Sequence, residues 1–307
     1  MSIIANENTK LMIQGITGKT GSEHARRMLE YNVDVVCGVT PGRGGRTVCD
    51  RPVYDTVAEA KLHHPEINAS LIMVPVTGVR SAAFESIEAE IQTIVISTEW
   101  VSVRDTLDIV HAARKKGIIV VGPNTMGIIS PGKTKIGMMP DNIYGAGHIG
   151  LVSRSGTLAH ENASNLTYAG FGLSTCIGIG GDPIIGLNHK EALELFRDDD
   201  DTKLVVLIGE VGGGSEELAA QYIKETNYPK PVIAFIAGRY APKGKKMGHA
   251  GAIVSNGTGT VESKVKALSE AGVKIADTVG HLVSLVAEEN SKLGGALKTL
   301  EAKEDHP

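Results

Sequence analysis

The residue best suited to covalent chemistry in this 307-residue chain is His249, within Met247-Gly248-His249-Ala250-Gly251-Ala252. Small neighbours leave the imidazole sterically open. One ring nitrogen could attack a phosphoryl group while a carboxylate on the other orients the ring. Glu210 is a candidate for that carboxylate. It ends the apolar run LVVLIGE and is followed by Gly212-Gly213-Gly214. A charge at the edge of an apolar strand needs a partner or a function. A lone histidine in a Gly-Ala loop is also compatible with an incidental surface position, so the rest of the chain has to decide.

Several glycine-rich loops have the composition of anion cradles. Gly15-Ile16-Thr17-Gly18-Lys19-Thr20-Gly21 follows an apolar strand and opens a helix. Glycine permits close backbone approach, and a helix N-terminus offers free N–H groups and a positive dipole end. The spacing G-x-x-G-x-x-G is neither that of the P-loop nor the usual dinucleotide fingerprint. Phosphate binding and a plain tight turn both remain open for it. Thr40-Pro41-Gly42-Arg43-Gly44-Gly45-Arg46 carries two arginines where a nicotinamide enzyme would place an acid for the ribose hydroxyls. Guanidinium forks suit a multiply phosphorylated ligand, although a solvated basic loop reads the same way. Ser153-Arg154-Ser155-Gly156-Thr157 is a second strand-to-helix cradle, and Gly122-Pro123-Asn124-Thr125-Met126-Gly127 and Gly178-Ile179-Gly180-Gly181-Asp182-Pro183 also end strands.

The elements that must position these loops alternate. Apolar, β-branched runs at 11–16, 33–39, 69–76, 93–98 and 117–123 are separated by helical patterns at 21–32, 56–64, 79–90 and 103–117. The alternation predicts a parallel sheet covered on both faces. Residues 128–147, rich in Pro and Gly, break the rhythm, and 131–147 is expected to connect two domains, 1–130 and 148–307. Strands at 148–153, 173–180, 204–210, 231–238 and 273–278, with helices between and after them, predict a second α/β sheet. Ligands of such sheets bind at the carboxyl ends of strands, where these loops fall.

Bulk composition agrees. Hydrophobic residues make up 42% and charged residues 21%, which fits a globular core. A net charge of −4 argues against a nucleic-acid partner. The three cysteines, Cys37, Cys49 and Cys176, have no ligand spacing and read as reduced thiols. The N-terminal MSIIANENTK lacks the signature of a secretory signal, and no apolar run is long enough to span a bilayer. A cytoplasmic location with no membrane partner is the expectation.

Taken in order, G-x-T-G-K-x-G, V-T-P-G-x-G-G, G-P-N, S-R-S-G-T-L, G-I-G-G-D-P, G-E-x-G-G and G-H-A-G-A resemble the α subunits of the succinyl-CoA synthetase family and the matching portion of ATP-citrate lyase. The resemblance runs from about residue 10 to 290. It implies two doubly wound parallel-sheet domains, an N-terminal Rossmann-like CoA-binding domain and a C-terminal flavodoxin-like ligase domain. It implies CoA on Thr17, Gly18, Lys19 and Thr20, on Arg43, and on Ser97, Thr98 and Glu99. His249 would be the phosphohistidine, Glu210 would hold its ring, and Ser155, Gly156 and Thr157 would bind the phosphate. ATP or GTP with magnesium would sit on a larger β-type nucleotide-binding subunit, and this chain itself would hold no metal.

The acid is where the chain departs from the family pattern. Gly122-Pro123-Asn124-Thr125-Met126-Gly127 stands for G-P-N-C-P-G, Trp100 follows Thr98-Glu99 in place of Gly, and His160 replaces a tyrosine counted as substrate-contacting. An imidazole can carry positive charge, which suits an acid with an extra carboxylate. Thr125, His64-Pro65-Glu66 and Arg80-Ser81-Ala82 resemble stretches of the lyase. On these residues citrate is the favoured acid, giving a citryl-CoA synthetase, with succinate and then malate as alternatives. A non-catalytic CoA-binding module and a nicotinamide oxidoreductase are the rival classes. The first predicts loss of the histidine loop, and the second an acidic residue where Arg43 and Arg46 stand.

Overall fold

A computed structural model describes residues 3–238, 249–252 and 259–299. The first half runs β1 (Leu11–Gln14), α1 (Lys19–Glu30), β2 (Val35–Val39), β3 (Thr47–Val48), β4 (Arg51–Tyr54), α2 (Val57–His63), β5 (Ala69–Ile72), α3 (Val79–Glu88), β6 (Thr93–Ile96), α4 (Val103–Lys115) and β7 (Ile119–Val121). The second runs β8 (Gly127–Ser130), β9 (Thr134–Gly137), β10 (Ala146–Ser153), α5 (Gly156–Tyr168), β11 (Leu173–Gly178), α6 (His189–Arg197), β12 (Leu204–Glu210), α7 (Ser215–Thr226), β13 (Val232–Ala237), α8 (Val261–Glu270), β14 (Lys274–Ala276) and α9 (Val279–Lys292).

Two seven-stranded sheets result, ordered β3-β4-β2-β1-β5-β6-β7 and β14-β13-β12-β10-β11-β8-β9. Six strands of the first sheet are parallel, in the Rossmann order, and only β3 is antiparallel. Five of the second are parallel, in the flavodoxin order. The strands form because β-branched and leucine runs are buried on both faces. All four residues of β1, β5 and β6 and all seven of β12 are buried. Helix starts carry side-chain caps: Thr56, Ser102, Ser155, Thr260 and Thr278 each accept from an amide of the first turn, and Asn188 with Glu191 forms a capping box.

Two hairpins differ from the sequence reading. Residues 47–54 are the pair β3–β4, hidden in sequence because each strand is short. The stretch expected to connect the domains is also not a plain linker. β8 and β9 pair with each other and, through β8, with β11, so the second sheet begins at Gly127. Gly and Pro punctuate this segment because a tight hairpin requires them. It is held between the halves: Ser130 Oγ donates to the Ala5 carbonyl at 2.7 Å, and the Gly132 amide donates to Tyr31 Oη at 2.9 Å. The buried Lys135 ammonium lies 4.8 Å from the centre of the Tyr31 ring. One apolar cluster continues from Leu11 and Val35 through Val121, Ile128 and Ile136 to Val152, Ile177 and Leu207. Each fully buried side chain of this kind contributes about 1.5–3 kcal/mol. Among the described residues no helix is long and apolar enough to cross a membrane.

Candidate active site at the carboxyl edge of the second sheet

In each sheet the chain direction of crossover reverses beside one strand, β1 in the first and β10 in the second, and sheets of this kind take ligands past the carboxyl ends of the strands there. Glu210 ends β12 and the Arg154-Ser155 turn follows β10, so these neighbouring strands deliver both to the carboxyl edge of the second sheet. Glu210 is buried, at 8% exposure, and its carboxylate faces His249. His249 Nδ1 lies 2.8 Å from Glu210 Oε2 and 3.0 Å from Oε1. With Nδ1–H donated to the carboxylate, Nε2 keeps its lone pair for attack. The Glu210 hydrogen bond and charge hold the His249 pKa above the ordinary histidine value, against burial and the Arg154 charge, which lower it.

The surroundings are shaped to the ring. A Cβ on Gly181 would overlap the His249 imidazole, so glycine there lets the β11–α6 loop lie flat against it. The Gly251 amide donates to the Gly181 carbonyl at 3.1 Å, and the Ala252 amide to the His249 carbonyl at 3.0 Å. Arg154, 5% exposed, donates from Nη2 to the Asp182 carbonyl at 3.1 Å. Its Nε stands 3.5 Å from Glu210 Oε1 and has no hydrogen-bond partner among the described residues. Met247 and Gly248, singled out with His249 in sequence, lie outside the described residues.

Ser155 caps α5, its hydroxyl accepting from the Leu158 amide at 3.3 Å, which leaves the amides of Gly156 and Thr157 at the helix N-terminus. His160 lies one turn further on. Its Nδ1 is 2.6 Å from Tyr144 Oη, and the two rings meet edge to face. Burial lowers its pKa below the ordinary value. Burial thus works against the positive charge that sequence reasoning gave His160. Thr125 is 3% exposed and spends its hydroxyl internally, donating to the Gly178 carbonyl at 2.5 Å and accepting from the Gly127 amide at 2.9 Å. His64 hydrogen-bonds Tyr54 at 3.0 Å, and Arg80 pairs with Asp105 and Asp108 on the surface. These residues have structural partners of their own.

The first sheet gathers its candidates at its own carboxyl edge. Gly15, at φ +86°, turns the chain from β1 into α1, and a Cβ there would also strike the Met73 carbonyl. Gly18, Lys19 and Thr20 are exposed around the start of α1, with Thr17 half-buried beneath them. Arg43 is exposed at the tip of its loop. Asp55 ties that loop down by accepting the Arg43 amide at 2.9 Å and the Gly44 amide at 2.8 Å. The Gly44 amide bond, with those of its neighbours, holds the Asp55 carboxyl below the usual carboxylate range. Ser97 and Thr98 donate their hydroxyls to the Ile72 and Val74 carbonyls, at 3.0 and 2.8 Å, and Glu99 points to solvent.

Sequence reasoning missed what joins the two edges. Asp182, 1% exposed, accepts from the Val101 amide at 3.1 Å, the Trp100 amide at 3.5 Å and Asn124 Nδ2 at 3.1 Å. It thereby ties the β6–α4 loop of the first half to the loop lying on His249. Its signal was present in Gly180-Gly181-Asp182-Pro183, but the motif does not say what an acid there would bond. Trp100 sits at φ +63° and is 66% exposed, in the left-handed region that a glycine would occupy without strain.

Comparison with known proteins agrees with this geometry. Residues 6–100 match the family model of the CoA binding domain and residues 152–274 that of CoA-ligase. The chain is 50% identical over 288 residues to the succinate–CoA ligase [ADP-forming] subunit alpha 2 of Archaeoglobus fulgidus, covering 94% of this chain and 99% of that protein. It belongs to the CoA-ligase α-subunit family, and is an acid–thiol ligase of the NDP-forming class. The corresponding subunit of Methanothermobacter thermautotrophicus is 51% identical over 281 residues, covering 92% of this chain and 94% of that one. Among solved structures, ATP citrate lyase from Methanothrix soehngenii, in complex with citrate and coenzyme A, superposes with a TM-score of 0.88 at 25% identity. That match takes in 99% of this chain and 53% of the lyase chain. The α-subunit fold thus accounts for both sheets, and the CoA-binding domain is the first of them.

Proposed function

We propose that this chain is the CoA-binding, phosphohistidine-carrying α subunit of a succinate–CoA ligase. The observation that carries the reading is the contact between His249 Nδ1 and both carboxylate oxygens of Glu210. In the proposed sequence Nε2 attacks the terminal phosphorus of a nucleoside triphosphate. The N–P bond forms as the bridging P–O bond breaks, and the diphosphate leaves. A carboxylate oxygen of the acid then attacks that phosphorus, which frees Nε2 and gives an acyl phosphate. The CoA thiolate attacks the acyl carbon, and inorganic phosphate leaves. Splitting the work makes each transfer in-line and easy to position.

In this reading Ser155, Gly156 and Thr157 at the start of α5, with Arg154 beside them, meet the phosphoryl oxygens. CoA phosphates take Thr17, Gly18, Lys19 and Thr20 and Arg43, while Ser97, Thr98 and Glu99 line the same edge. The nucleotide, ATP or GTP, and its magnesium are assigned to a β-type partner. Relatives 50–51% identical over nearly their whole length carry the name succinate–CoA ligase, which supports succinate. Citrate is the second reading. It is favoured by the superposition on the citrate-bound lyase and by the departures at Trp100, Thr125 and His160. The burial of His160, which lowers its pKa, and the internally bonded Thr125 weigh against an added cationic contact.

The test is thioester formation by this chain co-purified with its partner, offered succinate, citrate and malate in parallel. Turnover with succinate supports the reading. Turnover with citrate alone transfers the assignment to a citryl-CoA synthetase, and no turnover with any of the three removes both.

A further inference from the structure

Against the backbone of Glu210 lies a cluster of charged groups that the proposed chemistry does not use. Glu216 and Lys264 are both fully buried. Glu216, in the first turn of α7, accepts the Glu210 amide on Oε1 at 3.0 Å, and its Oε2 bonds the Lys264 ammonium. Lys264, on α8, also donates to the Gly212 carbonyl at 2.7 Å. One ion pair therefore grips both ends of the three-residue turn that starts at Glu210. A Cβ on Gly209 would overlap the Glu216 carboxylate, so glycine at 209 is what lets the acid reach the strand.

His189 completes the anchor. It is fully buried at the start of α6, with Nε2 3.2 Å from the Ile208 carbonyl and Nδ1 2.8 Å from Ser215 Oγ. Burial lowers its pKa while the Glu216 charge and the Ile208 carbonyl oppose that; Nε2 donates to the carbonyl, and the contact with Ser215 fastens the first residue of α7 to β12. Burial alone would raise the Glu216 pKa. The cations around it and the Glu210 amide outweigh that, and Glu216 stays ionised.

A buried ion pair is an expensive way to hold a fold, since apolar residues of like volume often serve stability as well or better. What it supplies here is direction. We infer that Glu216 and Lys264 are positioning residues that fix the backbone of Glu210 so that its carboxylate meets His249 Nδ1. The inference rests on the phosphohistidine reading. Among the described residues the groups facing His249 are Glu210 from β12, Arg154 from the β10–α5 turn and Asp182 from the β11–α6 loop. Those facing Glu216 are His189 from α6 and Lys264 from α8.

The experiment uses the complex with its partner and the variants Glu216→Gln and the apolar pair Glu216→Leu/Lys264→Met. Two readouts are taken: the rate of His249 phosphorylation from the triphosphate, and the His249 titration by NMR of histidine-labelled chain. Both variants should fold and bind CoA. Each should phosphorylate roughly tenfold or more slowly, the scale on which outer supporting residues act. In both, His249 should titrate closer to an ordinary histidine, because Glu210 no longer holds Nδ1. A wild-type rate with an unshifted titration in either folded variant overturns the inference. If the wild-type chain itself takes no phosphate on His249, the phosphohistidine reading has failed instead. Should the apolar pair not fold, Glu216→Gln decides alone, since it keeps the volume of the side chain while removing the charge that pairs with Lys264.

Discussion

His249 Nδ1 stands within hydrogen-bond distance of both carboxylate oxygens of Glu210, at 2.8 and 3.0 Å. The contact raises the His249 pKa above the ordinary value of about 6.5. Two opposite consequences follow. The pair's contribution to stability is complete below about pH 6.5 and is lost as pH rises through the raised pKa. Nucleophilic attack needs the unprotonated Nε2, so phosphorylation rises with pH through that same raised value. Glu210→Gln should move the midpoint of the pH–rate profile to lower pH and cut the plateau rate by about 10²-fold. An unmoved midpoint would remove Glu210 from the site.

Gly181 lies against the His249 ring without room for a methyl group. Gly181→Ala should displace the ring at a local cost of roughly 1–3 kcal/mol and depress phosphorylation far more than it depresses the melting temperature. CoA affinity, measured by calorimetry, should stay near wild type. Equal losses in all three would mean a general unfolding effect.

Arg43 is exposed at the tip of a loop whose base is tied to Asp55. Arg43→Ala should weaken CoA binding about tenfold at low salt, the scale of one charge-assisted contact to phosphate, and by less as salt screens it. Calorimetric titration with CoA at two ionic strengths checks this. A dissociation constant that does not change at either would take the loop out of the CoA site.

Asp182 joins the halves by accepting two backbone amides and the Asn124 side chain while nearly fully buried. Asp182→Ala leaves those donors without an acceptor and should cost about 2–4 kcal/mol in denaturant unfolding. It should also slow phosphorylation, because the loop it anchors carries Gly181. A neutral effect on stability would show that water replaces the carboxylate.

Much of this architecture was legible in the residues. Runs such as LVVLIGE and PVIAFIAG announce buried parallel strands, and both sheets appear where the alternation puts them. Glu210 was legible because it is a charge ending an apolar strand, and the structure brings it to His249. The short hairpins at 47–54 and 127–137 were not, since two- to four-residue strands carry too little periodicity to separate them from Gly- and Pro-rich loops. Nor could sequence show that Thr125 is bonded inward or that His160 is half-buried against Tyr144. Both depend on neighbours, Gly178 and Tyr144, distant along the chain. The Asp182 staple was invisible for the same reason, its partners being 58 to 82 residues away.

The central claim is that His249 carries the phosphate. Incubating the chain and its partner with ATP labelled in the terminal phosphate, then mapping the label by peptide mass spectrometry, tests it directly. The account predicts an acid-labile, alkali-stable label on the peptide containing His249, absent from His249→Asn while CoA binding persists. Full labelling of His249→Asn, or a label on another residue, would contradict it.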